Sequence, residues 1–359
     1  MKLVIFGLSV SSSWGNGHAT LWRGLLRALT KRGHRVVFFE KDVPYYAAHR
    51  DPPSTCACEL VLFADWAAIV GRAAAELRDA DVAMVTSFCP EGERATELAG
   101  SSNVPLRVFY DLDTPVTLER VAAGERVDYL GPRGYADFDW VLSFTGGRAL
   151  DAARERLGAR RVAPLYGSVD PEAHGPAAPS PAYRGTMSHL GTFSADRREA
   201  LERLFLEPAR RLSAETFVLA GPLYPAELRF GDNVRHLPHV APSDHPSFYA
   251  SSPLTLNVTR GIMKKYGYCP SGRLFEAAAC ATPILSDSFE GLARFFEPGR
   301  EILVAETTDE ALEALRLSSA SLAAMARRAR ERVLAEHTAE KRARELEDIL
   351  GGGGAGVSS

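Results

Sequence analysis

Short apolar runs alternate with amphipathic stretches along the whole chain. Residues 3–6 are all apolar, as a parallel strand buried on both faces requires. A glycine- and serine-rich loop fills residues 7–18, and Leu21, Leu25, Leu26 and Leu29 then recur at helical spacing, predicting a helix over 19–31. Gly33 ends it and residues 36–39 form the next strand. The same grammar predicts a helix over 66–78 and strands at 82–86, 107–110, 140–143 and 162–166. After a run rich in proline and alanine the pattern starts again. A strand ends at 189–193, a helix covers 197–212, and strands lie at 217–220, 234–237, 254–258, 283–285 and 302–304. Helices are expected over 272–280, 308–317, 322–336 and 339–350. Strand–helix alternation of this kind builds a parallel sheet covered on both faces, and the restart implies two such α/β domains facing a cleft.

The proline-rich run sets the boundaries. The expected division is an N-terminal Rossmann-like domain over 1–170, a linker over 171–182 and a C-terminal Rossmann-like domain over 183–337. A helix over 338–350 would return to the first domain through Ala339, Arg342, Leu346 and Leu350, and the glycine-rich tail 351–359 reads as disordered. A length of 359 residues suits two such domains.

Composition narrows the function classes. Apolar residues make up 46% and charged residues 24%, with a formal net charge of −3, the balance of a folded protein with no general attraction to polyanions. The arginines are interspersed with glutamates, as on solvated helix faces, so no nucleic-acid partner is expected. Of the five cysteines, Cys56 and Cys58 are too close together for a zinc knuckle, Cys269 and Cys280, among small or apolar neighbours, read as packing thiols, and a reducing, cytoplasmic compartment is the simpler expectation. No apolar stretch is long enough to span a membrane.

Two segments carry a family resemblance. Leu165-Tyr166-Gly167-Ser168-Val169-Asp170-Pro171 resembles the interdomain hinge of GT-B glycosyltransferases. Ser271-Gly272-Arg273-Leu274-Phe275-Glu276, with the alanine-rich stretch to Cys280 and Ala281-Thr282-Pro283, is similar to their donor-binding segment. With Leu256 to Arg260 before it and Asp287 to Gly291 after it, the segment looks closest to the CgeB-like (spore-maturation-type) glycosyltransferases. The resemblance implies a GT-B fold, a nucleoside-diphosphate sugar as donor substrate (a UDP-sugar by superfamily default), no other cofactor, and an acceptor that is a small molecule, glycan or protein. It implies sugar transfer without a metal. It also implies retention of configuration, although Tyr268 stands where retaining members carry a second glutamate eight positions before Glu276. Ala281 replaces the usual glycine of the turn, which is harmless if its φ is negative.

Elementary chemistry supports these assignments. A helix starting at Gly272 offers free N–H groups and a positive dipole end to a diphosphate. Arg273 at that start can grip phosphate, and Glu276, one turn on, can accept hydrogen bonds from ribose hydroxyls. Gly191, Thr192 and Arg197 resemble the loop that meets donor phosphates. Arg260 and Lys264, with Lys265 beside it, add fixed cations where charge builds on the leaving group, removing a need for magnesium. In the first domain, Gly15, Asn16, Gly17 and His18 occupy the first strand-to-helix turn, the acceptor side of GT-B enzymes. Asp113 follows a strand at the carboxyl end of the sheet. His18 and Asp113 are the candidate catalytic groups. Two rival functions use the same architecture: a sugar-nucleotide 2-epimerase, and a catalytically silent homologue acting as a binding protein.

Overall fold

The computed structural model describes residues 1–53 and 56–352. The chain forms two compact units. One comprises Met1–Tyr166 and the segment that begins at Ala339, and the other Gly167–Thr338.

The first unit holds a seven-stranded parallel sheet in the order β3-β2-β1-β4-β5-β6-β7. Its strands are β1 (Lys2–Gly7), β2 (Arg35–Lys41), β3 (Glu59–Phe63), β4 (Val82–Thr86), β5 (Leu106–Asp111), β6 (Trp140–Ser143) and β7 (Val162–Pro164). β1, β4 and β6 are buried along their whole length, as their unbroken apolar runs require. The helix Gly17–Lys31 lays Leu21, Trp22, Leu25, Leu26 and Leu29 on this sheet, and Trp22 meets Phe38 of β2 and Tyr110 of β5 edge-on at 5.7 and 5.6 Å. The helix Ala339–Leu350 packs on Gly17–Lys31 and sends Ala343, Leu346, Ile349 and Leu350 into the same core. Buried Arg342 donates from Nε to the Tyr166 carbonyl at 3.0 Å, and Glu347 binds Arg32 and His34. The tail beyond residue 352 lies outside the described residues.

The second unit has a six-stranded parallel sheet in the order β10-β9-β8-β11-β12-β13. Its strands are β8 (Met187–Leu190), β9 (Phe217–Ala220), β10 (Val234–Leu237), β11 (Thr255–Asn257), β12 (Ile284–Ser286) and β13 (Leu303–Val304). The expected helix over 197–212 is present from Arg198 to Arg211, but its middle, Glu202–Leu206, is a π turn. Pro208 is the reason: it lacks an N–H and its ring would crowd the carbonyl one turn back, and a widened turn relieves both.

Both sheets are doubly wound. Strand order reverses between β1 and β4 in the first and between β8 and β11 in the second. Ligands of such sheets bind beyond the carboxyl ends of the strands at that reversal. No helix among the described residues is long and apolar enough to cross a membrane. Cys89, Cys269 and Cys280 are buried and stand outside any disulfide. Cys56 and Cys58 form a disulfide pair, which the sequence reading did not anticipate.

Candidate functional site

In the first unit, the loop after β1 is fixed by a buried carboxylate. Glu40 accepts from the backbone N–H groups of Val10 and Ser11 at 2.7 and 3.0 Å and from Ser9 Oγ at 2.9 Å. Gly15 takes a left-handed φ of 61°, and Asn16 caps the following helix by accepting from the His18 N–H at 3.1 Å. Asn16 Nδ2 also donates to the Ser9 and Ser12 carbonyls, so Asn16 shapes the loop. A Cβ at Gly17 would meet nothing within 4 Å. His18 and Asp113 prove to be partners: His18 Nε2 stands 3.0 Å from Asp113 Oδ2, with both side chains about one-fifth exposed (21% and 18%). His18 Nδ1 is buried without a hydrogen-bond partner. Asp113 is anchored through its own N–H to Asp111 Oδ1 at 2.9 Å. Burial raises Asp111, against the hydrogen bond from Tyr135. With Nδ1 enclosed, the partly exposed edge where His18 Nε2 meets Asp113 is the part of the pair that a ligand can reach.

In the second unit, the loops after β8 and β11 flank the strand reversal. Arg273, in the first turn of the helix Gly272–Ala279, is largely buried beneath the β8 loop. Its Nε donates to the Leu190 carbonyl and its Nη1 to Asn257 Oδ1 at 2.9 Å. A Cβ at position 191 would overlap that guanidinium, so Gly191 is what lets Arg273 lie under the loop. Arg197 bridges back to the Thr192 carbonyl through Nη1 at 3.0 Å, while its Nε is buried without a partner. Burial, then the neighbouring Arg273 and Arg260 guanidiniums, push Arg197 down to about 10. Arg260 meets one carboxylate, Asp196, at 3.3 Å. Thr192, Arg197, Arg260 and Arg273 are therefore brought together around an excess of positive charge. His189, at the end of β8, donates from Nδ1 to the Leu256 carbonyl at 2.9 Å, and burial, reinforced by Arg273, holds it well below the usual histidine range.

Lys264 is engaged elsewhere. Its Nζ pairs with the buried Asp287 at 2.9 Å, a carboxyl that burial raises and that also accepts from the Thr259 N–H and hydroxyl. Lys264 thus neutralises an internal charge. Ala281 has a φ of +58° and Tyr268 one of +46°, so the condition of negative φ at the turn is not met: Ala281 adopts a conformation that glycine takes with less strain.

Glu276 faces three groups that the sequence did not single out. Tyr249 donates its hydroxyl to Glu276 Oε2 at 3.2 Å. His245 Nδ1 lies 3.9 Å from Oε2, His174 Nε2 lies 4.0 Å from Oε1, and the two imidazole nitrogens stand 3.3 Å apart. Burial pushes His245 down to about 4, leaving it neutral at pH 7. The only advance sign was histidine placement: His174 follows the Asp170-Pro171 hinge, and His245 opens the short helix His245–Ala250.

Residues 197–348 match the protein family described as Glycosyl transferase-like. No curated protein matches the sequence. Solved structures match over nearly the whole chain. An alpha-glucosyltransferase in complex with UDP has a TM-score of 0.73 at 14% identity, covering 98% of this chain and 100% of the other. Sucrose-phosphate synthase from Thermosynechococcus elongatus has a TM-score of 0.69 at 13% identity, covering 98% and 99%. HepE of Anabaena in complex with UDP-glucose has a TM-score of 0.67 at 13% identity, covering 98% and 100%. The fold is thus GT-B, with two Rossmann-like parallel-sheet domains.

Proposed function

We propose that this protein is a glycosyltransferase that takes a nucleoside-diphosphate sugar, of the UDP-sugar class, as donor. The observation that carries the reading is the gathering of Arg197, Arg260 and Arg273 at the strand reversal, with Asp196 as the carboxylate bonded to Arg260 and the Arg197 Nε buried unpartnered. Like charges brought together at such a position are stabilised by an anion of higher charge, and a diphosphate supplies one. The first turn of Gly272–Ala279, whose Ser271 side chain makes no cap, adds free N–H groups, and Glu276 on the same helix accepts from the ribose. These fixed cations take the place of a divalent ion at the diphosphate. Names of fold neighbours that carry UDP or UDP-glucose support the choice of uridine. The CgeB-like assignment rests on the segment around Glu276 and on the basic loop before it.

As the sugar–phosphate bond breaks, the nucleoside diphosphate leaves with the bonding electrons, and the acceptor oxygen forms the new bond to the anomeric carbon and loses its proton. For the stereochemistry we retain the expectation of retention, supported by the neighbours named alpha-glucosyltransferases. A phosphate oxygen then receives the acceptor proton, and His18 with Asp113 holds a hydroxyl. The 3.0 Å His18–Asp113 pair favours inversion as a second reading, with that pair taking the proton. The anomeric configuration of the product, read by NMR, decides between them.

The defining test is a thermal-shift panel of nucleotides and nucleotide sugars on the native chain and on Glu276→Ala, with and without chelator. Stabilisation by a uridine diphosphate that survives chelator and is lost in E276A is expected. A flat panel, or unchanged affinity in E276A, overturns the donor assignment. UDP release that requires an acceptor then separates transfer from epimerisation. The acceptor screen includes DNA, which one fold neighbour is named as binding.

A further inference from the structure

We infer that His174, His245 and Glu276 form a binding site for one divalent transition-metal ion of the zinc class. Three separate segments converge on it: the hinge run after Asp170, the first residue of His245–Ala250, and the helix Gly272–Ala279. His174 is 3% exposed, and the side chains of His245 and Glu276 are 11% and 14% exposed. The 3.3 Å between the two imidazoles is within hydrogen-bond reach, but the 3.9 and 4.0 Å separations to the Glu276 oxygens are not. The longer two exceed a hydrogen bond, and a bridging water, at about 2.8 Å from each partner, would set its partners about 4.5 Å apart. With one ligand atom taken from each residue, all three lie within 4.8 Å of one another, so an ion between them can stand about 2.2–2.4 Å from each, close to the distances at which zinc binds imidazole nitrogen and carboxylate oxygen.

The donor set selects the ion. Two imidazoles and one carboxylate suit zinc and its neighbours, whereas magnesium and calcium take oxygen shells. The surroundings fix the ligands in the way metal sites require: the His245 ring hydrogen-bonds the Val240 backbone, and Tyr249 holds Glu276 Oε2. Three protein ligands leave a fourth position open, toward the exposed fraction of Glu276 and His245. The ion would use the carboxylate that we assign to the donor ribose, so metal and nucleotide are expected to compete for Glu276. This inference goes beyond the donor reading, and metal binding measured without nucleotide stands or falls apart from it.

The experiment is a titration of the chelator-treated full chain with Co²⁺, followed by its visible absorption, and then displacement by Zn²⁺. One equivalent of Co²⁺, giving absorption bands of low-coordinate nitrogen–oxygen ligation and displaced by Zn²⁺, is expected. His245→Gln and His174→Asn are each expected to weaken uptake at least about tenfold, with far-ultraviolet circular dichroism of the metal-free variants confirming that they fold. Absence of uptake by the native chain overturns the inference whatever the variants do. Undiminished uptake in both folded variants places the ion elsewhere and overturns it equally.

Discussion

Arg197→Gln separates a cation kept for a ligand from one kept for the fold. In the free protein the Arg197 guanidinium is partly buried beside two others, and its descent from the usual arginine range to about 10 expresses the penalty. That difference corresponds to roughly 3 kcal/mol, which we halve because the side chain is only partly enclosed. The hydrogen bond to the Thr192 carbonyl returns some of this, and glutamine can keep a weaker version of it. The variant should therefore be more stable without ligand by about 1 kcal/mol, raising the melting temperature by ~2–4 °C. Nucleotide response should move the other way. Loss of a charge-assisted hydrogen bond to phosphate removes about 1.5–3 kcal/mol, so UDP should bind roughly 10- to 100-fold more weakly. At a UDP concentration about 100 times the native Kd, where the native chain gains about 2.7 kcal/mol, the variant should gain half of that or less. Differential scanning fluorimetry with and without UDP reads both quantities. A variant that melts lower in the free state and responds normally to UDP would refute the reasoning, because Arg197 would then be an ordinary structural cation.

Three further outcomes follow from local geometry. Ala281→Gly should stabilise the chain by about 1 kcal/mol through relief of a left-handed alanine, read from the urea midpoint, whereas Ala281→Val should destabilise it. Asp113→Asn should lower kcat for UDP release by roughly 10- to 100-fold with nucleotide affinity unchanged, because His18 and Asp113 lie in the other unit from the arginines. His189 predicts a pH effect: its folded-state pKa is depressed, so below about 6.5 the unfolded chain takes up a proton that the folded chain refuses. That contribution is complete above pH 6.5 and is lost as pH falls. Buried Asp111 and Asp287, raised by burial, act in the opposite sense, so the test is the difference between native chain and His189→Gln, whose urea midpoint should fall less between pH 7 and 5.

The parallel core was legible because strands buried on both faces must be written as unbroken apolar runs, and β4 and β6 were read to the residue. β3 was missed: it is an edge strand whose burial alternates, and five residues of alternation between polar neighbours carry little signal. The helices Gly92–Gly100, Thr114–Ala122 and Arg148–Leu157 were passed over because alanine and threonine supply much of their buried faces. At the site, residue types pointed to His18, Asp113, Arg197, Arg273 and Glu276 singly. Sequence could not reveal that His18 and Asp113 touch, or that Lys264 is already committed to Asp287, since both facts depend on which loops the sheet order makes neighbours. His174, His245 and Tyr249 carried no motif at all. Their meaning arises from distances to one carboxylate.

The first unit is discontinuous: its core is completed by Ala339–Leu350, after the whole of the second unit has been made. During synthesis the apolar face of Gly17–Lys31 must wait for that helix. At translation rates of about 5–20 residues per second, the interval is roughly fifteen to sixty seconds. The second unit, being continuous, can fold on the ribosome during that time. The first unit is thus the part of the nascent chain whose core stays open longest, until Ala343, Leu346, Ile349 and Leu350 have been made.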